Sequence, residues 1–279
     1  MSESVRHEVY AVKFGENPLG LRGRFFYGSA REPFEEKVDL NYYVWLIRGA
    51  EGDIVLDTGF TEATARARGR DFHREPWAAL ELLGVQPQRV KTVILSHLHY
   101  DHTGGMRAFP EAEFIVQQAE LDFWFGPYGR RGEFAHSALE EDLDLLRELQ
   151  SQGRVRAVAG DHEVVPGVQV HLVGGHTPGS QATRVQVDGG QVVLAADASH
   201  FYENIEQDVP FAVLSDLAGV YRAFDRMQEL ATGDPVVPGH DPRVLARFAA
   251  VPGLEGIAAR IGVANGEHPN ATGGEIDNC

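Results

Sequence analysis

Apolar residues in this chain come in short blocks separated by Gly, Pro and acidic positions. Residues 42–49 (YYVWLIRG) and 53–59 (DIVLDTG) flank a Gly-rich turn at Glu51–Gly52 and read as paired strands. Residues 91–96 (KTVILS) and 191–197 (QVVLAAD) are strands of the buried type, and 167–175 (GVQVHLVGG) alternates like a half-buried one. Residues 235–242 (PVVPGHDP) predict a short strand running into a loop. Period 3.6 takes over elsewhere. Residues 76–84 predict a helix, with Pro76 in its first turn and Gly84 at its stop. Leu139, Leu143, Leu146 and Leu149 predict a helix within 137–153, closed by Gly153. Residues 215–230 open on Ser215 and carry an apolar stripe at Leu217, Val220, Tyr221 and Phe224. Strands come first and helices then interleave, which predicts a layered α/β fold. No repeat or linker divides the chain, so one domain is expected over residues 1–279, with a core at about 40–250. The polar, Gly-rich stretch 264–279 is expected to be loosely ordered.

Several predicted strands end on a metal-binding residue type. His97 follows TVIL, His176 follows VHLVGG, Asp197 ends VVLAA and His240 follows PVVPG. The C-terminal edge of an α/β sheet is where sites form, and ligands on strand ends are better fixed than ligands on free loops. The densest stretch is VILSHLHYDHTGG, residues 93–105, with His97, His99, Asp101 and His102. An extended chain points His97 and His99 the same way. Asp101 and His102 are adjacent and need a turn to separate them, and Gly104 and Gly105 offer permissive backbone behind it. Neighbouring ligands aimed differently can serve two metal ions. Imidazole and carboxylate without sulfur suit zinc, or manganese, iron or cobalt. Without a cation, four such side chains would desolvate and repel one another.

Composition narrows the function. The formal net charge of −16 and the lack of any basic run longer than two residues argue against a nucleic-acid partner. The only cysteine is Cys279, so an internal disulfide is impossible. The N-terminal stretch has no apolar signal-type core, and the longest apolar runs, about six residues, are far short of a membrane span. A cytoplasmic protein with no membrane partner is expected.

The motif HLHYDHTGG, together with GGHTPGS, AADASH, PGHDP and the early DTG at 57–59, resembles the metallo-β-lactamase superfamily. Within it, GDHEVVPGVQV (160–170) and DASHFYENIEQDVPF (197–211) are similar to the N-acyl homoserine lactonases. The resemblance spans about residues 40–250. It implies an αββα sandwich holding two divalent metal ions. His97, His99 and His176 would hold one, Asp101, His102 and His240 the other, and Asp197 would bridge them beside a hydroxide. It also implies a small lactone or ester substrate and admits a homodimer. The lactonases carry a tyrosine three residues after the bridging aspartate; here that position is His200, with Tyr202 two residues further on. Either could contact substrate.

The expected reaction is ring opening of an N-acyl homoserine lactone or related lactone by the bridging hydroxide. Asp101 either passes a proton to the leaving oxygen or only ligates. Asp57 either orients a histidine ligand or caps the turn before Gly59. The aromatic stretch 121–134, with Phe123, Trp124 and Phe125, is a candidate wall over the metals, as is 18–28 less strongly. Arg130 and Arg131 could steer an anionic substrate or be solvated surface charges. His73, His136, His162 and His171 receive no role. The alternative is hydrolysis of an ester, an amide or a β-lactam ring on the same site. A nuclease is opposed by the acidic charge, and a non-catalytic module by the complete ligand set.

Overall fold

The computed structural model describes residues 6–264. Two sheets stack face to face, with helices on both outer faces. Among the described residues the larger sheet runs in the order Phe248–Ala250, Ala258–Ala264, Glu8–Asn17, Leu40–Gly49, Gly52–Leu56, Thr92–Ile94, Glu113–Gln117, Val155–Val158. The short strand Asp71–Phe72 also pairs with Glu8–Asn17. The smaller sheet runs Val236–Pro238, Gly190–Ala196, Gln181–Val187, Val168–Leu172, His162–Val165.

Alternation builds the layers. Tyr43, Trp45, Ile47, Ile54 and Leu56 of the larger sheet meet Val168, Val170, Val185, Val192 and Leu194 of the smaller one. The opposite face of the larger sheet, with Val44, Leu46 and Val55, packs on Leu80, Leu143 and Leu146 from the flanking helices. The outer face of the smaller sheet, with Ala182, Val193 and Ala195, packs on the helix Leu217–Ala231. This is the expected αββα sandwich. Strands buried on both faces read as continuous apolar runs, which is why 42–49 shows no alternation.

The predicted helices are present, but shorter. Pro76–Glu81 and Glu140–Ser151 lie inside the expected ranges. In Leu217–Ala231 the buried stripe is Val220, Ala223, Phe224, Met227 and Leu230, and Tyr221 is exposed. A residue adjacent to Val220 lies about 100° around the helix, off the core-facing side. The second strand stops at Leu56, because Asp57 turns at φ 63°. The polar stretch from 264 onward lies, except for Ala264, outside the described residues. No described helix is long and apolar enough to cross a membrane.

Candidate metal centre

The strand order brings separate segments to one edge. In the larger sheet, Gly52–Leu56 and Thr92–Ile94 are parallel neighbours, so Asp57 and the motif at 97–102 leave from the same end. In the smaller sheet Gly190–Ala196 and Val236–Pro238 are also parallel, so Asp197 and His240 leave together. His97 and His99 sit in an extended loop with ring centroids 4.5 Å apart. Tyr100–Thr103 then forms one helical turn, which fans Asp101 and His102 apart.

Gly104 and Gly105 have negative φ, so backbone freedom is not their reason. A Cβ on Gly105 would lie 2.3 Å from the Thr58 carbonyl oxygen, and one on Gly104 would lie 2.9 Å from the Phe60 Cα. The glycines allow the motif to press against residues 57–60. There the amide of Thr58 donates to the His102 carbonyl at 2.7 Å, and the amide of Gly104 donates to the Gly59 carbonyl at 2.7 Å.

The sequence-predicted ligands converge. His97, His99, His176 and Asp197 form one set and Asp101, His102, Asp197 and His240 a second, each with ligand atoms within 4.8 Å of one another. Asp197 divides them by oxygen. Its Oδ2 lies 3.3 Å from His176 Nε2 and 3.8 Å from His97 Nε2. Its Oδ1 lies 3.2 Å from His102 Nε2 and 2.9 Å from His240 Nε2. Six of these residues are buried, while Asp101 is partly exposed and lines the adjoining cavity.

The outward nitrogens are anchored. His176 Nδ1 donates to the Val213 carbonyl at 2.8 Å and His240 Nδ1 to the Asn41 carbonyl at 2.8 Å. The Ser96 hydroxyl donates to Asp57 Oδ2 at 2.8 Å, so it accepts from His97 Nδ1 at 3.0 Å. Asp57 Oδ2 also accepts from His102 Nδ1 at 2.8 Å, and Oδ1 accepts from the Ser96 amide at 2.7 Å. Asp57 thus reaches past its own turn to orient the motif.

Burial, reinforced by neighbouring imidazoles, holds His97 and His99 well below the ordinary histidine value, and burial pushes His176 down to about 3. These rings are therefore neutral. With Nδ1–H spent outward, His97 Nε2 and His176 Nε2 face each other lone pair to lone pair at 3.2 Å. A cation between them turns that repulsion into ligation, so the donor set fits a metal. Burial also opposes charge on Asp197, but the pull of His200, His240 and His102 overrides it and holds the carboxyl well below its usual range. Burial acts to lower His102 and His240, yet the adjacent carboxylates, Asp197 first, keep both above the ordinary value.

Glu120 is a residue the sequence reading missed. It is buried in the helix Gln118–Phe125, and burial raises its carboxyl pKa. Oε1 accepts from the Leu98 amide at 2.9 Å and from Trp124 Nε1 at 2.7 Å. Oε2 accepts from Thr177 Oγ1 at 2.7 Å and from the Gly179 amide at 2.9 Å. One carboxylate therefore ties the loop between His97 and His99 to the loop after His176. An acid inside the apolar run AELDFWF was the available signal.

The cavity beside the cage holds about 510 Å³. Its lining includes Asp101, His200, Phe25, Phe134 and Phe211. His200 stacks on Phe211 at 3.4 Å and points Nε2 at Asp197 Oδ2, 3.0 Å away. Burial lowers its pKa, so its ring is neutral and carries one N–H. Tyr202 does not line this cavity; it is buried beneath Arg243 and Arg247. Nor do Phe123, Trp124 or Phe125. The helix turns Trp124 inward, edge-on to His99 at 5.6 Å, and Phe123 packs between Trp124 and Phe134. From the 121–134 stretch it is Glu133 and Phe134 that line the cavity, and from 18–28 Arg24 and Phe25. Arg130 pairs with Glu140, and neither it nor Arg131 lines the cavity. His136, given no role from sequence, does line it, whereas His171 lies in a strand as expected.

Comparison with known proteins agrees with this geometry. Residues 38–240 match the family model described as the metallo-beta-lactamase superfamily. An N-acyl homoserine lactonase of a Bacillus species is 32% identical over 225 residues, covering 74% of this chain and 83% of the relative. One from Bacillus cereus is 33% identical over 222 residues, covering 72% and 82%. A quorum-quenching N-acyl homoserine lactone lactonase structure superposes with a TM-score of 0.69 at 27% identity, covering 86% of this chain and 94% of that one. An N-acyl homoserine lactone hydrolase, solved with N-hexanoyl-L-homoserine bound at its catalytic metal center, gives 0.72 at 25% identity, covering 90% and 99%. The chain belongs to the metallo-beta-lactamase superfamily, in its N-acyl homoserine lactonase-like family.

Proposed function

We propose that this protein is a metal-dependent hydrolase that opens the ring of an N-acyl homoserine lactone or a related small lactone. The observation that carries the reading is the division of the ligands by the two oxygens of Asp197, next to a cavity of small-molecule size. The curated relatives named as lactonases support it. Zinc is the metal we assign, on a sulfur-free set of imidazoles and carboxylates, with manganese, iron or cobalt as substitutes. When bound, two such ions supply an activated water and a Lewis acid for the lactone carbonyl.

The chain's own residues do the rest. His97, His99 and His176 would hold one ion, and Asp101, His102 and His240 the other, with Asp197 shared. Asp57 and Ser96 hold the rings of His97 and His102 by their outer nitrogens, so these two ligands are oriented before metal binds. Of the ligands that line the cavity, Asp101 is the most exposed, and we assign it the proton that reaches the leaving oxygen. His200, locked against Phe211, spends its single N–H on Asp197 Oδ2, and its ring lines the cavity where a substrate would pack against it. Phe25, Phe134 and Phe211 exclude water from the acyl side. We place the activity in one domain acting in the cytoplasm, in keeping with a chain that has a single cysteine.

The test is turnover of metal-loaded protein on lactones of graded acyl length, followed by acid release with a pH indicator. Ring opening of at least one acyl homoserine lactone is expected. Turnover confined to a simple ester or a β-lactam would reject the lactonase reading in favour of the alternative hydrolase.

A further inference from the structure

Most arginines of this acidic chain have carboxylate partners; Arg22, Arg48, Arg66, Arg147 and Arg243 are all ion-paired. Arg24, Arg68 and Arg70 are among the described arginines that are not. All three line the cavity beside the metal cage, and among the described residues none forms an ion pair with a carboxylate. Arg68 and Arg70 are half-buried, and both are braced by Tyr100 of the motif. The Arg68 guanidinium lies over the Tyr100 ring at 3.8 Å and donates to the His136 carbonyl at 2.8 Å. Arg70 Nε donates to the Tyr100 hydroxyl at 3.4 Å. Gly69, between them, turns the chain at φ 64° so that both reach the same ring. A guanidinium has five N–H donors, so most of theirs remain unspent. The acids in the cavity do not complete them: Asp101 acts on Arg70 through space but forms no ion pair with it and belongs, with Asp197, to the metal cage, and Glu133 is exposed without a bond to any of the three.

Leaving guanidinium groups half-buried and unpaired is costly unless an anion completes them. The rest of the lining includes the apolar Phe25, Leu40, Phe211 and Leu214. The Tyr42 hydroxyl lies 3.2 Å from that of Tyr100, and the Tyr42 ring meets the His240 ring edge-on at 5.4 Å, so two tyrosines separate the cage from Arg70. Resting on the lactonase reading, we propose that the natural substrate is a lactone whose acyl arm has an apolar spacer and ends in a carboxylate, bound by the forks of Arg68 and Arg70 with Arg24 at the rim. A planar carboxylate matches a guanidinium fork in a way that an alkyl chain cannot.

The test uses two homoserine lactones with acyl arms of six carbons, hexanoyl and adipoyl, the second ending in a carboxylate. Metal-loaded protein is expected to favour the adipoyl lactone by about tenfold or more in kcat/KM, mainly through KM, and the preference should shrink with salt. The double variant Arg68→Gln/Arg70→Gln should abolish the preference, Arg68→Lys/Arg70→Lys should restore part of it, and Arg24→Gln, at an exposed site, should reduce it. In parallel, calorimetry measures binding of the two ring-opened acids. Equal kcat/KM and equal binding for the two arms would overturn the proposal, as would a preference that survives the double glutamine variant. A binding preference for the adipoyl acid with no turnover of either lactone would uphold the anion site and sink the lactonase reading instead.

Discussion

The metal cage and the cavity mouth sit side by side and are built on opposite principles. In the cage the histidines are held by their outer nitrogens: those of His97, His102 and His240 meet the buried Ser96, Asp57 and Asn41, and that of His176 meets the carbonyl of Val213. At the mouth Arg24, Glu133 and His136 are exposed, and the half-buried Arg68 and Arg70 lean on Tyr100 rather than on acids. The cage is rigid before any ligand arrives, which suits a metal that demands fixed geometry. The mouth keeps its hydrogen-bonding capacity in reserve, which suits a substrate that must come and go.

The sharpest way to break this contrast is at the shared ligand. Asp197→Asn is expected to reduce bound metal to about one equivalent or less and to lower activity by on the order of 10³-fold or more. Metal analysis after desalting, alongside the lactone assay, checks both; unchanged metal with full activity would remove Asp197 from the bridge. Glu120 comes next. Glu120→Gln should cost about 10–100-fold in activity, through metal affinity, because an amide cannot accept all the bonds that the carboxylate accepts from Leu98, Trp124, Thr177 and Gly179. Titration with a competing chelator reads the affinity.

Asp142 sharpens the comparison from the other side. It is a buried acid behind the motif helix with one donor, Thr103 Oγ1 at 2.9 Å, where Glu120 has four. Burial raises its carboxyl to about 6 from 3.8. Its folded value lies above its unfolded one, so the native state binds the proton more tightly. Stability is therefore lost as pH rises from about 4 to about 6 and stays lost above. Asp142→Asn should stabilise by about 1–3 kcal/mol at neutral pH. That gain should vanish below about pH 4, as melting curves of the two proteins at both pH values would reveal. The smallest effect is expected at the mouth. Phe134→Ala removes part of an apolar wall and should raise KM a few-fold, on the order of 1 kcal/mol, with metal content unchanged. A metal defect in that variant would mean that cage and mouth are not separable.

How much of this was legible in the sequence follows the same division. The ligands could be read because each sits just after an apolar strand and because imidazole is rare enough for clusters to stand out. The layered sandwich could be read from strand and helix periods. Glu8–Asn17 was not read as a strand, although it lies centrally between Leu40–Gly49 and Ala258–Ala264, because Glu8, Lys13 and Glu16 break its apolar run and its register shifts between Lys13 and Gly15. The reason for Gly104 and Gly105 was hidden because it depends on Thr58 and Phe60, far back in the chain. Phe123, Trp124 and Phe125 drew attention as a wall, but a helix turns its side chains at 100° per residue and aims Trp124 into the core. The mouth was the least legible part. Its residues come from many segments, and the spacing Arg66, Arg68, Arg70 in RARGR looks like an ordinary charged surface until Gly69 folds two of them onto Tyr100.

The claim on which all of this depends is that two cations sit on either side of Asp197. Anomalous diffraction from crystals of metal-loaded protein, collected above and below the metal absorption edge, measures that directly. Two peaks are predicted, one among His97, His99 and His176 and the other among Asp101, His102 and His240, each next to a different oxygen of Asp197. A single peak, or peaks outside these two sets, would contradict the account.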